Sequence, residues 1–254
     1  MTTEPLLRIQ DLHRDFGGVR AVDGVSFEVP AGRITGLIGP NGAGKSTVLN
    51  MLAGSILPTS GSITFNGTEI AGKPAYRVAR LGLSRTFQLS SPFARLTVLE
   101  NLLAAPFPQA GESWPAIVIG KAAWRRQERE NLERARGLLD LFDMTPKENE
   151  YAGNLSGGQK RLVEIMRALM TGPKMLLLDE PMAGVSPVLA HRIAGYLETL
   201  REQGLTMLMV EHELGFVDRL CDGVIVMAQG KVLSRGTMGE LRKQREVVDA
   251  YLVG

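Results

Sequence analysis

The sequence is poor in the features that would mark a cross-linked or membrane-embedded protein. Only one cysteine, Cys221, occurs in 254 residues, so no intrachain disulfide can form. That fits a reducing compartment. No stretch reaches the roughly 20 mainly apolar residues that a membrane-spanning helix needs. The most suggestive run, Pro115-Ala-Ile-Val-Ile-Gly120, is stopped by Lys121. Formal net charge is only +2, too balanced to argue for a nucleic-acid partner. The opening Met-Thr-Thr-Glu-Pro has no basic region followed by an apolar core, so no signal peptide is expected. Internal repeats, low-complexity segments and sustained heptads are all lacking. What is there is ordinary for a globular chain: 44% hydrophobic and 22% charged residues, long enough to bury a core without disulfides or a structural metal. If such a chain acts at a membrane, a partner must supply the spans.

Hydrophobic patterning divides the chain into three parts. Leu6 to Leu12 and Val25 to Val29 read as strands, separated by a turn at Phe16-Gly17-Gly18. Arg33 to Gly39 reads as a buried strand running into a glycine loop, with a helix beginning near Lys45. Ser62 to Phe65 reads as a short strand before the turn Asn66-Gly67. Pro74 is expected as the first residue of a helix through Leu81. From about Thr97 to Ala168 strand signals nearly vanish. Lys121 to Phe142 has helical spacing, with Leu132, Ala135, Leu138, Leu139 and Phe142 on one face. Strands then return at Met175 to Asp179, Thr206 to Val210, Val224 to Met227 and Lys231 to Ser234. Helices are predicted over Pro187 to Gln203, in a short piece ending at Leu220, and in the tail from Thr237. Alternating strands and helices imply an α/β domain with a mostly parallel sheet and an inserted helical segment.

Five motifs carry chemistry. Gly39-Pro-Asn-Gly-Ala-Gly-Lys-Ser-Thr47 contains the phosphate-loop pattern G-x-x-x-x-G-K-[ST]. Its glycines let successive N–H groups point at phosphate oxygens, and the helix that follows adds its positive end. Lys45 is expected to reach the β- and γ-phosphates and Ser46 to ligate Mg²⁺. The apolar run Met175 to Glu180 ends in two acids. Asp179 would hold Mg²⁺ directly or through water, and Glu180 would polarise an attacking water as general base. Leu155-Ser-Gly-Gly-Gln159 opens a helix, with Ser156 as N-cap and the amides of Gly157 and Gly158 open to an anion. Gln88, in Arg-Thr-Phe-Gln-Leu, and His212, in Val-Glu-His, complete the set.

In this order the motifs resemble the ATP-binding-cassette family over nearly the whole chain; the phosphate loop alone would leave kinases and GTPases open. The resemblance implies a P-loop NTPase core at about 1–96 and 169–236, an antiparallel β region, a helical subdomain at about 97–168 and a helical tail at 237–254. It also implies ATP and Mg²⁺ as cofactors. Asn41, Gly42, Ala43, Gly44, Lys45, Ser46 and Thr47 would cradle the phosphates, Phe16 would stack on adenine and Val22 line it. Phe16 also reads as a core residue at a strand end. A head-to-tail dimer is implied, in which Ser156, Gly157, Gly158 and Gln159 bind ATP held by the partner subunit. Gln88 would sense Mg²⁺ and water and lead to a groove for a transmembrane subunit, and His212 would contact the γ-phosphate. Where the family often reads Gly-Leu-Asp after the second acid, this chain has Gly184-Val185-Ser186. Serine hydrogen-bonds but carries no charge, which bears on communication between two sites.

Three further stretches are similar to the ATPases of branched-chain amino-acid-type importers: Asp15 to Asp23, Gly82 to Gln88 with Leu96 to Asn101, and Val248 to Leu252. They imply an energy-coupling subunit peripheral to the cytoplasmic face of the inner membrane. Its partners would be transmembrane permease subunits, a second ATPase subunit (identical or related) and, indirectly, an extracytoplasmic solute-binding protein. The ATPase of lipopolysaccharide export shares much of the pattern, so an exporter stays open beside the importer, as does a soluble cassette ATPase.

Overall fold

The computed structural model describes residues 4–86, 92–106 and 121–252. Gln88 and the run Pro115 to Gly120 lie outside them. By internal packing the described chain forms two compact units. The first comprises the described parts of Met1–Arg85, Lys174–Ala183 and His191–Gly254; the second comprises those of Thr86–Pro173 and Gly184–Ala190.

The first unit holds two sheets. An antiparallel sheet is built from β1 (Leu7–Phe16), β2 (Val19–Val29), β4 (Ser60–Phe65) and β5 (Thr68–Glu69), in the order β2-β1-β4-β5. The second runs β10-β9-β3-β8-β7-β6, from β3 (Ile34–Ile38), β6 (Leu83–Arg85), β7 (Met175–Asp179), β8 (Thr206–Val210), β9 (Gly223–Ala228) and β10 (Lys231–Gly236). Every pairing in it is parallel except β9 with β10. All five residues of β3, of β7 and of β8 are buried, as strands covered on both faces must be. That is why they read as mainly apolar runs rather than alternating ones.

The helix Lys45–Leu52 joins the sheets. Val48, Leu49, Met51 and Leu52 share one buried cluster with Ile9, Phe27 and Phe65 of the antiparallel sheet and with Leu177, Leu208 and Met227 of the parallel one. A second cluster gathers Val217, Val224, Val226, Met238 and Leu241, with Cys221 packed against it. Burial pushes the Cys221 thiol up to about 12, with Asp222 and Glu211 adding to the effect.

Several elements differ from the sequence reading. The first hairpin is longer than the two short strands expected: β1 runs on to Phe16 and β2 starts at Val19. Its distal half is charged and exposed, so alternation faded there. A bulge explains part of this: the β1–β2 register shifts between Ile9 and Leu12, and Asp11 has φ 47°. Gly61 of β4 makes room for the bulge, because a Cβ there would lie 2.3 Å from the Asp11 carbonyl oxygen. Pro74 is the N-cap, not the first residue, of the helix Ala75–Arg80; its ψ of 150° is extended. β5, β6 and the helix Val98–Leu103 were not anticipated, being two, three and six residues long.

The second unit contains the helices Val98–Leu103, Lys121–Leu141 and Gly157–Met170, packed pairwise. Ala135, Leu139 and Phe142 are buried, as the helical spacing required. Thr97 and Glu100 form a capping box on the first of these helices. Asn101 is fully buried, and its side chain binds the backbone of Phe93, Leu96 and Thr97. No described helix is long and apolar enough to cross a membrane.

Two outcomes test this packing. Gly61→Ala introduces both a backbone collision and a residue at φ 94°. It should lower unfolding stability by about 1–3 kcal/mol in urea titrations. Cys221 should resist alkylation at pH 8 in the native protein and react fully once the chain is unfolded, since only the thiolate attacks.

Candidate functional site

Three neighbouring parallel strands deliver the site. β3 pairs with β8 and β8 with β7, so their carboxyl ends lie along one sheet edge. Beyond β3 comes the loop of residues 39–44, beyond β8 come Glu211 and His212, and β7 ends in Asp179 with Glu180 next. This is the edge at which open α/β sheets bind ligands.

The loop is shaped by close approaches of backbone. Gly44 caps the helix Lys45–Leu52 at φ 99°, and a Cβ on it would sit 2.5 Å from the Ala21 carbonyl oxygen. No side chain caps this helix, and its first N–H groups have no intrahelical acceptor, an arrangement that suits an external anion. Asn41, Gly42 and Ser46 are exposed, Gly44 and Thr47 are partly covered, and Ala43 is buried. Lys45 is 6% exposed. Its ammonium donates to the carbonyls of Gly39 (2.7 Å) and Pro40 (2.8 Å), which hold it against the loop. Burial lowers its pKa, while the charges of Glu180 and Asp179 act in the opposite sense.

Asp179 is 1% exposed, and its Oδ2 accepts from Arg85 at 2.8 Å. Arg85 also donates to Asn50 Oδ1 at 2.5 Å. A relay thus runs from the loop's own helix through Arg85 of β6 to the end of β7. Sequence reasoning missed both Arg85 and Asn50. The charge ending the short strand Leu83–Arg85 was the available signal, but its partner is set by strand order.

Glu180 is the sharpest local feature. Its backbone is left-handed, φ 48°, a conformation that costs a non-glycine residue about 1–3 kcal/mol. The surroundings hold it there: its N–H donates to Val210 O at 2.9 Å, and its carbonyl accepts from Ala183 at 3.1 Å. The strained turn aims the carboxylate at His212, with Oε1 2.9 Å from Nε2. A carboxylate only accepts, so Nε2–H is the donor. Both side chains stay partly exposed, at 28% and 44%, and are reachable by water.

Phe16 ends β1 with 41% of its surface exposed, and the Arg14 guanidinium lies 4.4 Å from its ring centroid. Val22 is fully buried in the core cluster, near Gly44. In the second unit, Ser156 is the N-cap of the helix Gly157–Met170, and its hydroxyl accepts from Gln159 N. The Gln159 side-chain oxygen in turn accepts from Ser156 N–H, closing a capping box. Gly157 faces open space, whereas a Cβ at Gly158 would meet Leu189 at 2.2 Å. His13 binds Asp11 and the Gly24 amide, and His191 packs on Phe216; both serve structure.

The oxygen donors suit a hard divalent cation. Ser46 presents an exposed hydroxyl on the first helical turn, and Asp179 a carboxylate at the strand end; Mg²⁺ favours such ligands. Among the described residues no group of three or more His, Cys, Asp and Glu could hold a metal ion.

Comparison with known proteins follows the same line. A family model described as ABC transporter matches residues 22–183. The chain is 39% identical over 251 residues to the high-affinity branched-chain amino acid transport ATP-binding protein BraF of Pseudomonas aeruginosa, covering 98% of each. It is 39% identical over 247 residues to a probable branched-chain amino acid transport ATP-binding protein LivG of Archaeoglobus fulgidus, covering 97% of this chain and 95% of that one. Among solved structures, a nucleotide-free ATP-binding cassette from an ABC transporter superposes with TM-score 0.84 at 38% identity, covering 97% and 98% of the two chains. The ADP conformation of an ATP-binding cassette of an ABC transporter gives 0.83 at 36%, covering 99% and 100%. With the phosphate loop, the paired acids and His212 placed along one sheet edge, this chain belongs to the ABC transporter family, as one of its ATP-binding cassettes.

Proposed function

We propose that this chain is the ATP-hydrolysing, energy-coupling subunit of an importer for branched-chain amino acids or similarly small polar solutes. The observation that carries the hydrolytic part is the Glu180–His212 pair, 2.9 Å apart on the edge that carries the phosphate loop. The names of relatives matched over nearly their full length support the solute class.

In this reading the amides and side chains of residues 41–47 hold the phosphates, Lys45 supplies positive charge, and Phe16 stacks on the base. Ser46, Asp179 and Gln88 would hold Mg²⁺, which neutralises phosphate charge when bound. Glu180 takes the proton of the attacking water. His212 donates to Glu180 and keeps it oriented; facing the γ-phosphate, its ring would add a hydrogen bond there. Ser156, Gly157, Gly158 and Gln159 would meet ATP held by a second ATPase subunit, identical or related. The capping box occupies the amides of Ser156 and Gln159, and the amides of Gly157 and Gly158, which have no intrahelical acceptor, would meet that anion. The remaining partners are transmembrane permease subunits, with a solute-binding protein acting through them, which places the chain peripherally at the cytoplasmic face.

Three measurements test this reading. Lys45→Ala should weaken ATP binding about tenfold or more by calorimetry, as loss of a charge-assisted phosphate contact requires; unchanged affinity would contradict the phosphate loop's role. Glu180→Gln should keep ATP affinity and lower kcat by about 10²-fold or more; normal turnover would remove Glu180 as the base. Isolation of the tagged chain from native membranes should recover multi-span permease subunits. A lipid-export partner would reverse the direction of transport, and recovery of ribosomes alone would sink the transporter assignment.

A further inference from the structure

Glu211 is an acid that no role above uses. It is 4% exposed, yet it lies one position before His212, immediately past the end of β8, the strand beside β7. A carboxylate so buried must be compensated, and its two oxygens are compensated separately. Oε1 accepts from the backbone N–H of Met182 at 2.9 Å, and Oε2 from that of His212 at 3.0 Å. Met182 is two residues beyond Glu180 and part of the turn that holds Glu180 left-handed. The bond from Glu180 N to Val210 O, 2.9 Å, closes the other side. Segments 180–182 and 210–212 are thus stitched on both flanks of the Glu180–His212 contact.

We infer that Glu211 is a positioning residue for hydrolysis: one buried carboxylate, clamping the amides of Met182 and His212, fixes the distance and angle between the general base and the histidine. It touches neither substrate nor reacting atoms. Its effect passes through His212 and the Glu180 turn, and the inference rests on their assignment as the hydrolytic pair. Charge-assisted bonds to main chain are short and directional, and catalytic pairs lose much of their rate when displaced by about 1 Å. A neutral side chain at this position would satisfy one amide and leave the other buried without an acceptor.

The test uses the full-length chain and steady-state ATP hydrolysis. Glu211→Gln is nearly isosteric but offers a single acceptor oxygen. It should lower kcat about tenfold or more while KM for ATP stays within about twofold. In a His212→Ala background the same substitution should have little further effect on kcat, because the Glu180–His212 contact it fixes is gone. Glu211→Asp, charged but one methylene shorter, cannot span both amides. It should reproduce the loss and supplies the test should the glutamine variant fail to fold. Wild-type kcat in Glu211→Gln, with Glu180→Gln and His212→Ala both strongly slowed, would overturn the clamp alone. Losses that add fully to those of His212→Ala, or that fall on KM, would show a general structural role and overturn it too. Normal turnover in Glu180→Gln would remove the hydrolytic reading and this inference with it.

Discussion

The shared register of β3, β8 and β7 sets the distances on which the site depends. Adjacent strands lie about 4.8 Å apart. The segments leaving β3 and β7 are therefore about 10 Å from each other, with that of β8 between them. This spacing lets a histidine beyond β8 meet an acid beyond β7 while a lysine beyond β3 still feels the charge of both acids. A slip of one residue in β8 would turn its side chains to the opposite face, and Glu211 and His212 would exchange places. The uninterrupted burial of these strands makes such a slip costly.

The same edge concentrates buried charge. Lys45, Asp179 and Glu211 are 6%, 1% and 4% exposed, and each is matched differently. Backbone carbonyls take the lysine, an arginine takes Asp179, and backbone amides take Glu211. Breaking such a match costs more than forming it returns, because one group is left charged in an apolar setting. The framework is thereby stiff where it holds the phosphate loop and the strand ends. Glu180 and His212, by contrast, keep 28% and 44% of their side-chain surface in contact with solvent.

How much of this could be read in the sequence follows from what each signal depends on. The fully buried strands announce themselves as apolar runs, and the phosphate loop and paired acids by spacing alone. The outer half of the first hairpin was lost because it is exposed and charged, and its bulge at Asp11 breaks the alternation. Arg85, Asn50 and Glu211 were invisible for another reason. Their partners are 94 residues away for Arg85 with Asp179, 35 for Arg85 with Asn50 and 29 for Glu211 with Met182, and only strand order brings them together. A glutamate before a histidine reads as a surface acid until the fold buries it. The left-handed backbone of Glu180 likewise has no compositional trace, since glycine and asparagine are the usual markers of such a turn.

The solitary thiol has a practical meaning. Cys221 is the chain's only cysteine, is packed against a core cluster and holds its proton far above neutral pH. The protein as it stands is therefore a chemically silent background for probe attachment. A cysteine engineered into the turn after β7 or the first turn of the helix Gly157–Met170 would take a maleimide dye or nitroxide without prior removal of the native one. The surroundings of either segment could then be reported with and without nucleotide in a chain otherwise unaltered.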